Sequence, residues 1–285
     1  MPLEIRILDY GDIELESSFL VLARDCGRKA RVPHFGYLIL GDEPGQDPVL
    51  VDTGFRNPDV MAALGMRGIQ TRDQLIENQL ARHGLKFADI RYILHTHLHI
   101  DHAGKDDLFP MSTTVVVNRR ELEYSVSGLM HPQYPAADIK HLIDRMHTPN
   151  ALRFLDLEAS GGEEIVPGVT CVAAGGHTEG SMNVLVETAE GVACICGDVV
   201  YDIHDQLIEP FHQTQAMEPA PTGNHGTTKR QEKAAIKKAL NSGRFLCPIH
   251  DRPAVIERGQ VVGRIHDRIP GPVTKVFPKR QWFAA

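Results

Sequence analysis

The stretch HTHLHIDHAG, residues 95–104, places four histidines and one aspartate within eight residues, directly after the short strand-like run Arg91–Leu94. Neutral imidazole and carboxylate are the donors zinc prefers after thiolate, and a cluster of this density calls for a metal to explain it. Side chains alternate along an extended segment, so His97 and His99 aim both rings to one side. Asp101 and His102, adjacent at the next turn, reach toward a second ion about 3.5–4 Å from the first, the separation of two-metal hydrolytic sites.

Two metals need more donors than one loop supplies, and three further segments offer them. His177 stands in GGHTEGS, a glycine-rich turn after a strand, where a ring can approach a metal unobstructed. Asp198 follows the apolar run of CICGDVVY, and His250 follows another in CPIHD, so each is poised at a strand end, where functional side chains concentrate. Taken singly, each reads equally well as a hydrogen-bonded or capping residue. Together, four strand-terminal clusters of ligand-type residues point to one centre.

Working outward, the N-terminal third reads as strands at Glu4–Asp9, Phe19–Ala23, Gly36–Leu40 and Val49–Asp52, an antiparallel, meander-like opening. Leu75, Ile76 and Leu80 recur at helical spacing between a Thr71 cap and a Gly84 stop. Thr113–Val117 reads as a strand, and Arg119–Val126 and Ala136–Met146 as helices. Val169–Ala173, Met182–Glu187 and Val192–Cys196 read as strands again, and Lys229–Leu240 as a helix. Two β-rich halves, each with helices, are expected to pack as a single α/β domain over residues 1–285.

Composition excludes other classes. The net charge is −7, and no run of Lys or Arg is dense enough for nucleic acid or an anionic membrane surface. No apolar run approaches the ~20 residues of a membrane helix, and Met1–Arg6 lacks the pattern of a secretory signal, so a cytoplasmic address is expected. Five cysteines without a CxxC pair read as reduced, mostly buried small hydrophobes.

The ordered set HxHxDH at 97–102, then His177, Asp198 and His250, with Asp52 in VDTG before it, resembles the motif signature of the metallo-β-lactamase superfamily. The resemblance implies an αββα sandwich of two mixed β-sheets flanked by helices. It also implies two zinc ions per chain: His97, His99 and His177 on one, Asp101, His102 and His250 on the other, and Asp198 bridging them. Asp52 would orient a ligand or form its turn, and His95 would be a packed or outer histidine. No cysteine occupies a ligand position, which disfavours antibiotic hydrolysis. His99, where the diiron flavoprotein branch has glutamate, points to zinc rather than an oxygen-reducing iron pair.

Tyr201, three residues after Asp198, and the segment VVVNRRELEYS at 115–125 are similar to the N-acyl homoserine lactone hydrolase branch. That branch implies hydroxide from a water bridging both zincs attacking a lactone carbonyl, with Tyr201 donating to the oxyanion and Asp101 relaying a proton. The substrate would be an N-acyl homoserine lactone-like or other small lactone, and a homodimer would be in keeping with the family. A glyoxalase II-like thioesterase, a mononuclear iron sulfur dioxygenase and a non-catalytic ligand-binding protein are the competing readings. Pocket walls are expected from Gly128–Pro149 and Ile208–Thr227, with Met130, Tyr134, Phe211 and Met217 as apolar liners.

Overall fold

The computed structural model describes residues 2–211 and 218–277, and the backbone of Trp282–Ala284. Two sheets pack face to face. In the first, the strand order is Arg268–Ile269, Glu4–Glu16, Arg28–Leu40, Val49–Val51, Tyr92–Leu94, Thr114–Asn118 and Leu152–Leu155. In the second it is Val273–Thr274, Gln260–Ile265, Ala254–Glu257, Phe245–Pro248, Gly191–Gly197, Met182–Thr188, Val169–Ala173 and Glu163–Val166. Their facing sides share one core, in which Ile5, Tyr37, Val51 and Leu94 of the first sheet meet Val169, Val184, Ile195 and Phe245 of the second. Helices cover the outer faces, as an αββα sandwich requires. Ile76–Ala81 and Ala136–Met146 bury Ile76, Leu80, Ile139 and Leu142 on the first sheet. Lys229–Asn241 buries Ala235, Ile236 and Ala239 on the second.

The topology gathers the site. Val49–Val51, Tyr92–Leu94 and Thr114–Asn118 run parallel, so Asp52 and the loop His95–His102 leave the first sheet at the same edge. Gly191–Gly197 runs parallel to Phe245–Pro248 in a sheet otherwise antiparallel, and sends Asp198 and His250 out together. Ligand-type residues thus collect beyond the carboxyl ends of parallel strands, where α/β folds place their sites.

Several expectations shift by a few residues and two change in kind. The opening strand continues to Glu16 through an irregularity at Asp9–Gly11, where Gly11 takes φ 121°. A side chain there would meet the Ile69 carbonyl at 2.2 Å. Phe19–Ala23, expected as a strand, is instead the end of a helical turn, Ser17–Leu20, and the turns that follow it. The Glu16 carboxylate accepts from the Ser18 N–H and the Ser17 hydroxyl meets the Arg24 and Asp25 carbonyls, so local polar bonds override the apolar run. The helix expected after Thr71 is broken into Arg72–Gln74 and Ile76–Ala81, because Leu75 is extended at φ −63°, ψ 139°. No helix among the described residues is long and apolar enough to cross a membrane.

Candidate metal centre

The loop after Tyr92–Leu94 is held from below by one carboxylate. Asp52, in the left-handed region at φ 59°, accepts from the Thr96 N–H at 2.9 Å and the Thr96 hydroxyl at 2.7 Å, and its Oδ2 lies 2.8 Å from His102 Nδ1. A donor at Nδ1 leaves Nε2 of that ring with a free lone pair, which is what a metal needs. Asp52 therefore orients a candidate ligand and shapes the turn at once. His95, the unusual histidine, is buried with Nε2 2.9 Å from Asp106 and Nδ1 3.4 Å from Asp52, so it braces the loop from behind.

Three groups of donors lie close enough to share an ion: His97, His99 and His177; Asp101, His102 and His250; and His97, His102 and Asp198. Asp198 stands between the first two. Its Oδ2 is 3.8 Å from His97 Nε2 and 3.6 Å from His177 Nε2, while its Oδ1 is 3.3 Å from both His102 Nε2 and His250 Nε2. His97 Nε2, His99 Nε2, His102 Nε2 and Asp198 Oδ1 are buried without a hydrogen-bond partner. Buried polar atoms in folded proteins are as a rule paired, so four orphans converging on one point fit a metal centre, and the nitrogen-rich donor set fits zinc.

The charges divide the site in two. Burial, and then the neighbouring imidazoles, hold His97 and His99 well below their ordinary range, and burial brings His177 down to about 4. Burial also pulls on His102 and His250, but Asp198 and Asp101 overcome it, keeping His102 well above its usual value and His250 at about 9. At pH 7 the first trio is therefore neutral, and the second carries protons that a metal must displace. Zinc uptake by metal-free protein is expected to release protons chiefly at the second trio, with affinity there rising as pH rises toward about 9. Calorimetric titration in buffers of different ionisation enthalpy reads this directly; two binding steps without proton release would contradict it.

Two further positions, His34 and Asn224, were not legible in the sequence. His34, fully buried, stacks on His250 with ring centroids 5.5 Å apart. The Asn224 amide lies against the His177 ring. Tyr201 stacks on His250 at 5.3 Å, and its hydroxyl donates to Asp198 Oδ2 at 2.8 Å. Burial and then the Asp198 charge raise its phenol well above the ordinary value, so it stays a donor.

The pocket over these residues differs from expectation. Its apolar wall comes from Ile13, Leu15 and Val32 of the N-terminal strands, Phe19 and Leu20 of the helical turn, and Met61, Leu64 and Met66. Gly128–Pro149 contributes only Gln133 to the described lining, and Ile208–Thr227 only Asn224. Tyr134 instead packs edge-on against His99 at 4.8 Å, Met130 joins the outer core, and Phe211 lies under Arg24. Met217 lies outside the described residues. The cause is the length of the opening hairpin, Glu4–Glu16 paired with Arg28–Leu40, which brings Ile13, Leu15 and Val32 to the site.

With this fold and this donor set, the chain belongs to the metallo-beta-lactamase superfamily, whose profile it matches over residues 31–250. Within that superfamily it is similar to an N-acyl homoserine lactonase of Bacillus cereus, 31% identical over 185 residues that cover 61% of this chain and 67% of the relative. The N-acyl homoserine lactonase AiiA of Bacillus thuringiensis subsp. kurstaki is 30% identical over 196 residues, 66% of this chain and 71% of AiiA. A solved N-acyl homoserine lactone hydrolase, with N-hexanoyl-L-homoserine at its catalytic metal centre, shares the fold at TM-score 0.64 and 24% identity. That superposition covers 84% of this chain and 88% of the other. The dizinc quorum-quenching lactonase AidC shares it at TM-score 0.62 and 15% identity, over 99% of this chain and 94% of AidC.

Proposed function

We propose that this chain is a dinuclear zinc lactonase acting on N-acyl homoserine lactone-like substrates. The observation that carries the reading is Asp198, one oxygen toward each trio of donors, in the lining of an apolar pocket that Tyr201 also lines. His97, His99 and His177 would hold one zinc, Asp101, His102 and His250 the other, and Asp198 both. When bound, the ions supply Lewis acidity and bring the pKa of water down to about 7.

The chain's own groups account for the rest. The water oxygen bonds to the lactone carbonyl carbon, the acyl–oxygen bond of the ring breaks, and the ring oxygen takes up a proton to leave a hydroxy acid. Burial would raise the Asp101 carboxyl, but His102 and His250 hold it well below the usual range, so it is ionised and able to relay that proton. Tyr201 has its hydroxyl at the pocket floor and its ring fixed on His250, so it can turn its donor from Asp198 to a carbonyl oxygen as that atom gains charge. The thioesterase reading expected a helical C-terminal domain. The described residues beyond 252 form strands, including Ala254–Glu257 and Gln260–Ile265.

The test is a hydrolysis panel of lactones, thioesters and β-lactams with zinc-loaded protein. Turnover of lactones well above the other two is expected, and preference for a thioester would overturn the proposal. On the same panel, Tyr201→Phe should retain both zincs while lowering lactone kcat by about tenfold, less than loss of a sole oxyanion donor because the metals share the load. Unchanged kcat in the fully loaded variant would return Tyr201 to a packing role.

A further inference from the structure

Glu121 is a fully buried carboxylate in the first turn of the helix Arg119–Ser125, and no cation pairs with it among the described residues. Its Oε1 accepts from the Leu98 N–H and the Tyr134 hydroxyl, each at 2.9 Å, and its Oε2 accepts from the Thr178 hydroxyl at 2.5 Å. Leu98 lies between His97 and His99, and Thr178 follows His177. The third donor, Tyr134, lays its ring edge-on against His99. One carboxylate thus reaches within a residue of all three members of one histidine trio.

The turn after His177 is pressed onto the same helix start. A side chain at Gly180 would meet the Glu121 backbone nitrogen at 2.1 Å, and Asn118 Nδ2 donates to the Gly180 carbonyl at 3.1 Å. Ser181 Oγ lies 2.6 Å from Thr178 Oγ1 and accepts from the Thr178 N–H at 3.0 Å, which closes the turn on itself. A buried carboxylate is costly to desolvate, and an apolar side chain of similar volume would fill the space without that cost. What an apolar side chain cannot do is accept hydrogen bonds from two loops at once.

We propose that Glu121 is a positioning residue for the trio His97, His99 and His177, tying the two loops that carry them into one rigid donor set. The inference rests on those three holding one metal. Groups beyond the ligands that fix their orientation typically change metal affinity by roughly ten- to a hundredfold when removed. The contribution is selective, because in the other trio His102 is held by Asp52 and His250 by the Pro33 carbonyl, to which its Nδ1 lies 3.2 Å away.

The experiment compares zinc-loaded wild-type protein with Glu121→Gln, which keeps the volume but puts an amide N–H₂ where one donor needs an acceptor. Zinc release to a chromophoric chelator is followed alongside thermal melting of the metal-free proteins. In Glu121→Gln one zinc of the two is expected to leave about tenfold faster than in wild type, and the other at the wild-type rate. Wild-type release of both zincs, or equal acceleration of both with a lowered melting temperature of the metal-free protein, would overturn the proposal. A wild-type chain that takes up no zinc would instead overturn the metal reading itself. Should Glu121→Gln fail to fold, Thr178→Val and Tyr134→Phe each cut one arm of the clamp. Either should speed release of that same zinc severalfold, and wild-type release from both would overturn the proposal equally.

Discussion

Asp198→Ala should reduce bound zinc from about two ions per chain to below one and lower lactone kcat/KM by at least about a thousandfold, the largest effect expected of a single substitution here. Among the described residues Asp198 is the one side chain with an oxygen toward each trio, so on the proposed reading its loss would take a donor from both ions and leave each with three. It would also remove a negative charge that, with Asp101, balances an imidazole-rich, buried cavity, where two divalent ions would repel strongly. Tyr201 loses its acceptor in the same step. Elemental analysis with steady-state kinetics at saturating zinc separates the effects. Asp198→Asn, which keeps the shape and drops the charge, should fall between wild type and Asp198→Ala. An Asp198→Ala protein with two zincs and wild-type turnover would remove Asp198 from the centre.

The candidate donors were legible because each carries its chemistry in one letter and sits where an apolar run ends. His97, His99, Asp101 and His102 needed only strand alternation and a turn, and His177, Asp198 and His250 needed the assumption that strand ends converge. The α/β class followed from the succession of strands and helices, the αββα sandwich from the family resemblance, and a helix was expected near Ala136–Met146. What was not legible depends on distant pairing. Glu121 reads as an ordinary polar residue in the first turn of a helix, and nothing local says that Leu98 and Thr178 will bring their donors to it. His34 lies in a strand of the first sheet, and only the packing of that sheet on the second sets it against His250. Short strands such as Arg67–Ile69 and Leu152–Leu155 have too few residues to show a period, and form because a neighbour offers them an edge. The pocket wall was sought in the proline-rich insertions. It came instead from Ile13, Leu15 and Val32, which lie outside the strand bounds expected at Glu4–Asp9 and Gly36–Leu40, and from the turns that follow.

That wall gives the second large effect. An acyl arm lying on Ile13, Leu15, Val32, Met61, Leu64 and Met66 is removed from water along its length, and each buried methylene is worth about 0.8 kcal/mol, or roughly fourfold. If that binding is realised in the transition state, kcat/KM for homoserine lactones should climb by two- to fourfold per added carbon from arms of roughly four carbons until the pocket is filled. Leu64 is the place to interrupt it: it is half-buried beside the pocket, so a charge there tests the arm without emptying the core. Leu64→Glu puts a carboxylate where three or four methylenes would lie and should lower kcat/KM for a long-armed substrate by about a hundredfold. A lactone with no arm should change by less than about threefold, because the metal donors and Tyr201 are untouched. Zinc content should stay at the wild-type level. The comparison is internal, since the same preparation is assayed on both substrates and any loss of active protein cancels in the ratio. A ratio that does not move would show that the arm runs elsewhere and that the apolar wall serves packing alone.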